Sequence, residues 1–176
     1  MHKVIPFLCL LTACVERPQV DTAQFEQYAD IAVYITEQAS NFNTQGLEKR
    51  VILNGEEETK TLKMDADLWN KELSFLEDID PSKSEYVGAF DISESNATKT
   101  LTLKAGEKGI LKSISYNFLT ETIQATVLEE KDIYIYAKEV TLQLDEGTLQ
   151  TYNIEGYQKM LMSDTVFFSL WGEVLP

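Results

Sequence analysis

Asp132-Ile133-Tyr134-Ile135-Tyr136-Ala137-Lys138-Glu139-Val140-Thr141-Leu142-Gln143-Leu144 carries its large apolar side chains at every second position along most of its length. Tyr134, Tyr136, Val140, Leu142 and Leu144 share one side of an extended chain, which predicts a strand with one buried face. The period of two persists on both sides of this stretch. Strands are predicted near 86–93, 98–104, 109–119, 123–130, 149–162 and 165–174. Glu94-Ser95-Asn96, Ala105-Gly106-Glu107-Lys108, Thr120-Glu121-Thr122 and Asp145-Glu146-Gly147 mark breaks between them. Such short connections between long strands imply an antiparallel meander. Gly88, Gly156 and Gly172 inside these runs predict bulges or sharp bends.

Upstream, the period changes. Asp65 to Glu77 predicts a helix with Trp69, Leu73 and Leu76 on one stripe, Ile79 beside it, and Pro81-Ser82 closing it. Before it, Lys49–Leu53 and Glu56–Leu62 flank Asn54-Gly55, a pair suited to the type I′ hairpin turn because both positions tolerate positive φ. A helix broken by Gly55 is the alternative. Glu56-Glu57-Glu58 makes the second arm acidic, as a solvated edge strand would be. A further helix is predicted from Asp21, with Gln24 completing a capping box and Phe25, Tyr28, Ala32 and Ile35 at helical spacing. The expected fold is therefore α+β: a curved, half-barrel-like antiparallel sheet of about six to seven strands with two N-terminal helices packed on one face.

At the extreme N-terminus, His2 and Lys3 precede the apolar run Val4–Leu11, and Leu11-Thr12-Ala13-Cys14 follows. Positive, apolar, then small residues is the order of a secretory signal. The run is too short for a bilayer span of about 20 residues. The last four residues resemble the lipobox of bacterial lipoproteins. That resemblance implies cleavage before Cys14 and a diacylglycerol on its sulfur. Residues 1–13 are then a signal peptide, 14–21 a tether and 22–176 a single domain of ordinary size. Such a diacylglycerol with an amide-linked third chain anchors stably, since each buried methylene contributes about 0.8 kcal/mol.

The same cleavage limits the chemistry. The chain's one histidine is His2, and Cys9 also lies in the signal. Without His and with Cys14 acylated, Ser-His-Asp and Cys-His mechanisms, disulfides and His/Cys zinc sites are excluded. Carboxylate, Ser-Lys or Tyr chemistry is still open on paper; the expectation is a non-enzyme, with no catalytic residue, no metal and no cofactor. The net charge is −14, and removing residues 1–13 takes away Lys3 but no acid. Such a field repels nucleic acid and anionic membrane surfaces, so the expected membrane contact is the lipid on Cys14.

Several local patterns are weaker. Asp78-Ile79-Asp80-Pro81-Ser82-Lys83-Ser84-Glu85 alternates oxygen ligands like a calcium loop but lacks its glycine and its final Glu; a turn after a helix explains the same residues. Asp21-Thr22-Ala23 and Asp164-Thr165-Val166 resemble an O-glycosylation motif of Bacteroidetes envelopes, against an N-cap and a turn as the ordinary explanations. Lys138-Glu139 and Glu129-Glu130 are expected on solvated strand faces and turns. Val166-Phe167-Phe168-Ser169-Leu170-Trp171 is apolar on both sides, more than one buried face needs. It motivates an apolar groove, for which Trp69, Tyr116, Phe118, Tyr134, Tyr136, Phe168 and Trp171 are the candidate lining residues.

Lys49-x-Val51 before Asn54-Gly55, Trp69-x-Lys71-Glu72-Leu73-x-Phe75, Asp78-Ile79, Tyr152-x-Ile154-x-Gly156-x-Gln158 and Gly172-Glu173 resemble a group of uncharacterised Bacteroidetes lipoproteins. The resemblance spans most of the chain beyond Cys14 and departs at Asp78-Ile79-Asp80-Pro81. It implies a lipid-anchored envelope protein, placed at the outer membrane, and brings no catalytic residue. Two functions follow as expectations: a binding module for an apolar ligand or lipid, or a structural lipoprotein docking on another envelope protein.

Overall fold

The structure, a computed structural model, describes residues 46–176. The predicted signal and tether, Cys14, Thr22 and the helix predicted from Asp21 lie outside the described residues. Nine strands form one open antiparallel sheet: β1 (Gly46–Leu53), β2 (Glu56–Lys63), β3 (Phe90–Glu94), β4 (Thr98–Leu103), β5 (Leu111–Asn117), β6 (Thr122–Lys131), β7 (Tyr134–Asp145), β8 (Thr148–Met160) and β9 (Val166–Leu175). Their order is β2-β1-β9-β8-β7-β6-β5-β4-β3. The meander from β3 to β9 follows the chain, and antiparallel pairing of β1 with β9 brings the N-terminal hairpin into the same sheet. That pairing corrects the expected six to seven strands to nine, because the hairpin extends the sheet.

The balance of helix and strand also differs. Among the described residues one short α-helix, α1 (Ala66–Glu72), is present, and the described fold is mainly β. Asp65 caps α1, its side chain accepting from the Leu68 amide at 2.9 Å. The predicted helix then tightens into a 3₁₀ segment, Leu73–Ile79. Residues three apart eclipse in that geometry. Leu73, Leu76 and Ile79 therefore line up in a single buried row, continuing from Trp69. A helix of 7 residues is far below the length that is stable alone, so this row against the sheet is what holds it.

Strand parity and register divide the sheet into two faces. The inner face carries Leu47, Tyr152, Ile154, Val140, Leu142, Ile123, Val127, Ile114, Leu101 and Phe90, and with α1 and the 3₁₀ row it forms the core. The outer face is not covered by any described element. The Asn54-Gly55 turn has φ of 51° and 89°, as a type I′ hairpin requires. β2 is the outermost strand on its side and is exposed along nearly its whole length, as its glutamates predicted.

The glycines play other parts than predicted. Gly88 lies in a turn at φ 72°, not in a strand. Gly156 and Gly172 sit in unbroken ladders, directly opposite Phe168 and Tyr152. A Cβ on Gly172 would lie 2.2 Å from the Tyr152 ring, and one on Gly156 would lie 2.2 Å from the Ala137 carbonyl oxygen and 2.7 Å from Phe168 Cζ. These glycines admit aromatic rings across the strand pair, and the register through them shows no bulge. The register shifts fall elsewhere, between Leu111 and Ser113 and between Gln143 and Leu144. Tyr86, predicted to open a strand, lies in a 3₁₀ turn, where its hydroxyl accepts from the Leu111 amide at 3.0 Å.

Candidate functional site

The predicted groove residues separate onto different surfaces. Trp69 and Tyr116 are buried in the core. Phe118 follows β5 in a turn, 48% exposed, with its ring against the edge of Tyr116. Tyr134, Tyr136 and Phe168 are half-buried on the inner face, and Trp171, three residues beyond Phe168, is on the outer face. They do not share a groove, because an odd spacing along a strand reverses the face. Thr165 is half-buried in the turn leading into β9.

Part of the predicted set does meet. Tyr136 stacks on Phe168 with centroids 5.9 Å apart, and both line a cleft of about 260 Å³ between the 3₁₀ segment and strands β1, β7, β8 and β9. Two ion pairs brace this cleft. Lys49 Nζ lies 2.7 Å from Glu72 Oε1, and Lys138 Nζ lies 2.6 Å from Asp78 Oδ2. Lys138, expected on a solvated face, is only 4% exposed. The Tyr152 hydroxyl donates to Glu72, and burial, with that hydrogen bond second, pushes its pKa well above the usual tyrosine value. Burial likewise raises Tyr136. Asp78 is thus taken up by Lys138, and Asp80 accepts from the Ser82 amide at 2.8 Å and its hydroxyl at 2.6 Å. The oxygens that resembled a calcium loop serve a helix tether and a turn.

The sign of the Tyr152 effect gives a testable consequence. A folded pKa raised above 10.0 means that the protonated, donating form stabilises the fold. This contribution is complete below pH 10 or so and disappears as pH rises through the higher folded value. Tyr152→Phe is expected to lower stability by roughly 1–2 kcal/mol at pH 8, Glu72 keeping Lys49 as a partner. The variant should also lose less stability than the parent between pH 9 and pH 11 or so. Urea midpoints at those pH values read both effects; an unchanged alkaline slope would contradict this role.

At the start of β7, Tyr134 is pushed up to about 12 by its hydrogen bond to Glu129. Glu129, beside Lys131 and then Tyr134, is held below the usual carboxylate range. Lys131 is exposed, so this triad sits at the surface.

On the outer face the central strands form an open trough of about 590 Å³. Ile52, Leu128, Ala137, Tyr157 and Phe167 supply its apolar lining, and Thr126, Ser169, Glu139, Glu155 and Lys138 its polar one, the Lys138 ammonium itself being paired with Asp78. Tyr157 and Phe167 are register partners with ring centroids 6.2 Å apart. Glu139 and Glu155 are register partners as well, both exposed. The Asn153 amide donates to Glu155 at 3.0 Å. The Asn54 carbonyl group of the side chain accepts from the Phe167 amide at 2.9 Å, so the β1–β2 turn holds the entrance to β9.

Size and lining separate the candidates. A hollow of about 410 Å³ at the β6–β7 and β8–β9 turns mixes Ile133, Leu161 and Met162 with Glu130, Lys131 and Lys159. Small-molecule sites fill roughly 300–1,000 Å³ and are mainly apolar. The inner cleft is smaller than that and walled by Lys49, Lys71, Glu72 and Lys138. A larger hollow of about 860 Å³ lies among charged residues such as Glu85, Glu107, Lys108, Lys112 and Glu130. Of these hollows in that size range, the outer trough has the most apolar lining. Phe167 and Tyr157 escaped the predicted groove, although Phe167 lay in the stretch already recognised as apolar on both sides.

Among the described residues no helix is long and apolar enough to cross a membrane. No protein-family model matches the chain, and no curated protein matches it either.

Proposed function

We propose that this chain is a lipid-anchored envelope protein without enzymatic activity, tethered at the outer membrane through Cys14, whose outer-face trough takes up an apolar ligand or lipid. The observation that carries the reading is the trough itself, with Ile52, Leu128, Ala137, Tyr157 and Phe167 on an uncovered sheet face. A half-barrel-like curvature of the sheet belongs to the same proposal, since it would deepen the trough. The Glu139–Glu155 pair supports binding over acid/base work: both carboxylates are exposed on one face, with no difference in burial to separate an acid from a base.

Docking on another envelope protein is favoured by a different observation. The β6–β7 and β8–β9 turns lie together, the Leu161 amide donating to the Ile133 carbonyl at 2.8 Å. They expose Ile133 (62%), Leu161 (65%) and Met162 (98%). The two readings part on substitution. Phe167→Asp should weaken binding of octanol to the full chain by about tenfold, the scale of losing one well-buried apolar contact and gaining a charge. Leu161→Asp with Met162→Asp should leave octanol affinity unchanged. Calorimetric titration decides, and the reverse pattern would favour the docking reading.

A further inference from the structure

We infer that the outer trough selects a small organic molecule with an apolar body and a cationic head, the head resting between Glu139 and Glu155. The inference rests on the binding reading above and names the ligand's chemistry. Glu139 and Glu155 are directly opposite on neighbouring central strands, where side-chain Cβ atoms stand about 5 Å apart and like charges destabilise the pair. Both line the trough. Their next neighbours across the sheet on this face are Thr126 and Ser169, which carry no charge. Among the described residues no lysine or arginine pairs with either carboxylate. The outer face does carry Arg50, Lys63 and Lys159, but Arg50 lies over the Trp171 ring at 5.7 Å, Lys63 is at the end of the edge strand β2, and Lys159 stands opposite Ile135, near the start of β7. On the inner face, by contrast, Lys49 and Lys138 each hold a carboxylate.

An ammonium group has the charge and the donors to bridge two carboxylates in this register. From there, a body of moderate length reaches Ala137, Tyr157 and Phe167, next along the same strands. An anionic amphiphile such as a fatty acid meets repulsion at the same place.

Octylamine, octanol and octanoate share one body and differ in the head. Titrated into the full chain carrying Cys14→Ser, which lacks the cysteine that lipidation would use, octylamine is expected to bind about tenfold tighter than octanol, as two exposed ion pairs near the top of their usual range would supply. Octanoate should bind weakest. In the Glu139→Gln, Glu155→Gln double variant the amine-to-alcohol ratio should fall to about one, with a Tm equal to or above the parent's, since a like-charge pair has been removed. Equal binding of amine and alcohol in the parent would overturn this inference and leave the apolar-ligand reading standing. A ratio that survives the double substitution would also overturn it. Binding of none of the three would overturn both. A lysine-bearing peptide bound more than tenfold tighter than octylamine would make the occupant a polypeptide and likewise reject the small-molecule assignment.

Discussion

Trp69→Ala is expected to destabilise the protein by about 3–5 kcal/mol, the range for removing a large aromatic from a packed core. Trp69 is 0% exposed and begins the row that continues through Leu73, Leu76 and Ile79. α1 is too short to persist without docking, so the loss propagates: a loosened α1 also loosens the 3₁₀ segment that carries Asp78. Against a typical total of about 5–15 kcal/mol this single change removes a large share of the folding free energy. Urea unfolding followed by far-ultraviolet circular dichroism measures it. Trp171→Ala is the control. Its ring is half-buried on the outer face beneath Arg50, and its removal should cost about 1 kcal/mol, the scale of a part-exposed apolar side chain and a surface cation–π contact. Similar losses in the two variants would mean that the helical segment contributes little to the fold.

The second large effect is an asymmetry. Asp78→Ala leaves the buried Lys138 ammonium without its partner and should destabilise by about 3 kcal/mol, the lower end for breaking a buried pair because Asp78 is itself part-exposed. Lys138→Met removes the charge instead, and its side chain fills the same space between Tyr136, Ile154 and Phe168. That change should be neutral or stabilising, since a buried ion pair is often no better than a well-packed apolar side chain. Asp78, freed at the surface, remains hydrated. Equal losses for the two variants in urea melts would show that the pair itself, rather than the desolvated lysine, governs the energetics.

Much of the strand pattern was legible because alternation reports burial directly. Val140 to Asp145 alternates buried and less buried residues along β7, as its sequence implies. Asn54-Gly55 announced its turn through backbone chemistry alone. The pairing of β1 with β9 was not legible, since nothing local in Leu47 or Val51 names Val174 or Leu170 as partner. Nor was the fate of Lys138: its partner Asp78 lies 60 residues away, beyond the reach of any local pattern. The candidate site was half legible. The two-sided run from Val166 to Trp171 pointed to a second apolar face, but assembling that face needs the register that sets Phe167 beside Tyr157. Pooling Phe168 with Trp171 crossed from one side of the sheet to the other. Gly156 and Gly172 look the same in sequence whether a strand bends or a ring leans over them; the rings of Phe168 and Tyr152 decide it.

The central claim is that the outer face, not the inner cleft, is where an apolar molecule binds. Backbone amide shifts recorded while octanol is added to the full chain carrying Cys14→Ser test it most directly. Shifts concentrated at Ile52, Leu128, Ala137, Tyr157 and Phe167 are the predicted result. Shifts concentrated instead at Phe75, Tyr136 and Phe168, or at Ile133, Leu161 and Met162, would contradict it, as would no shifts at all.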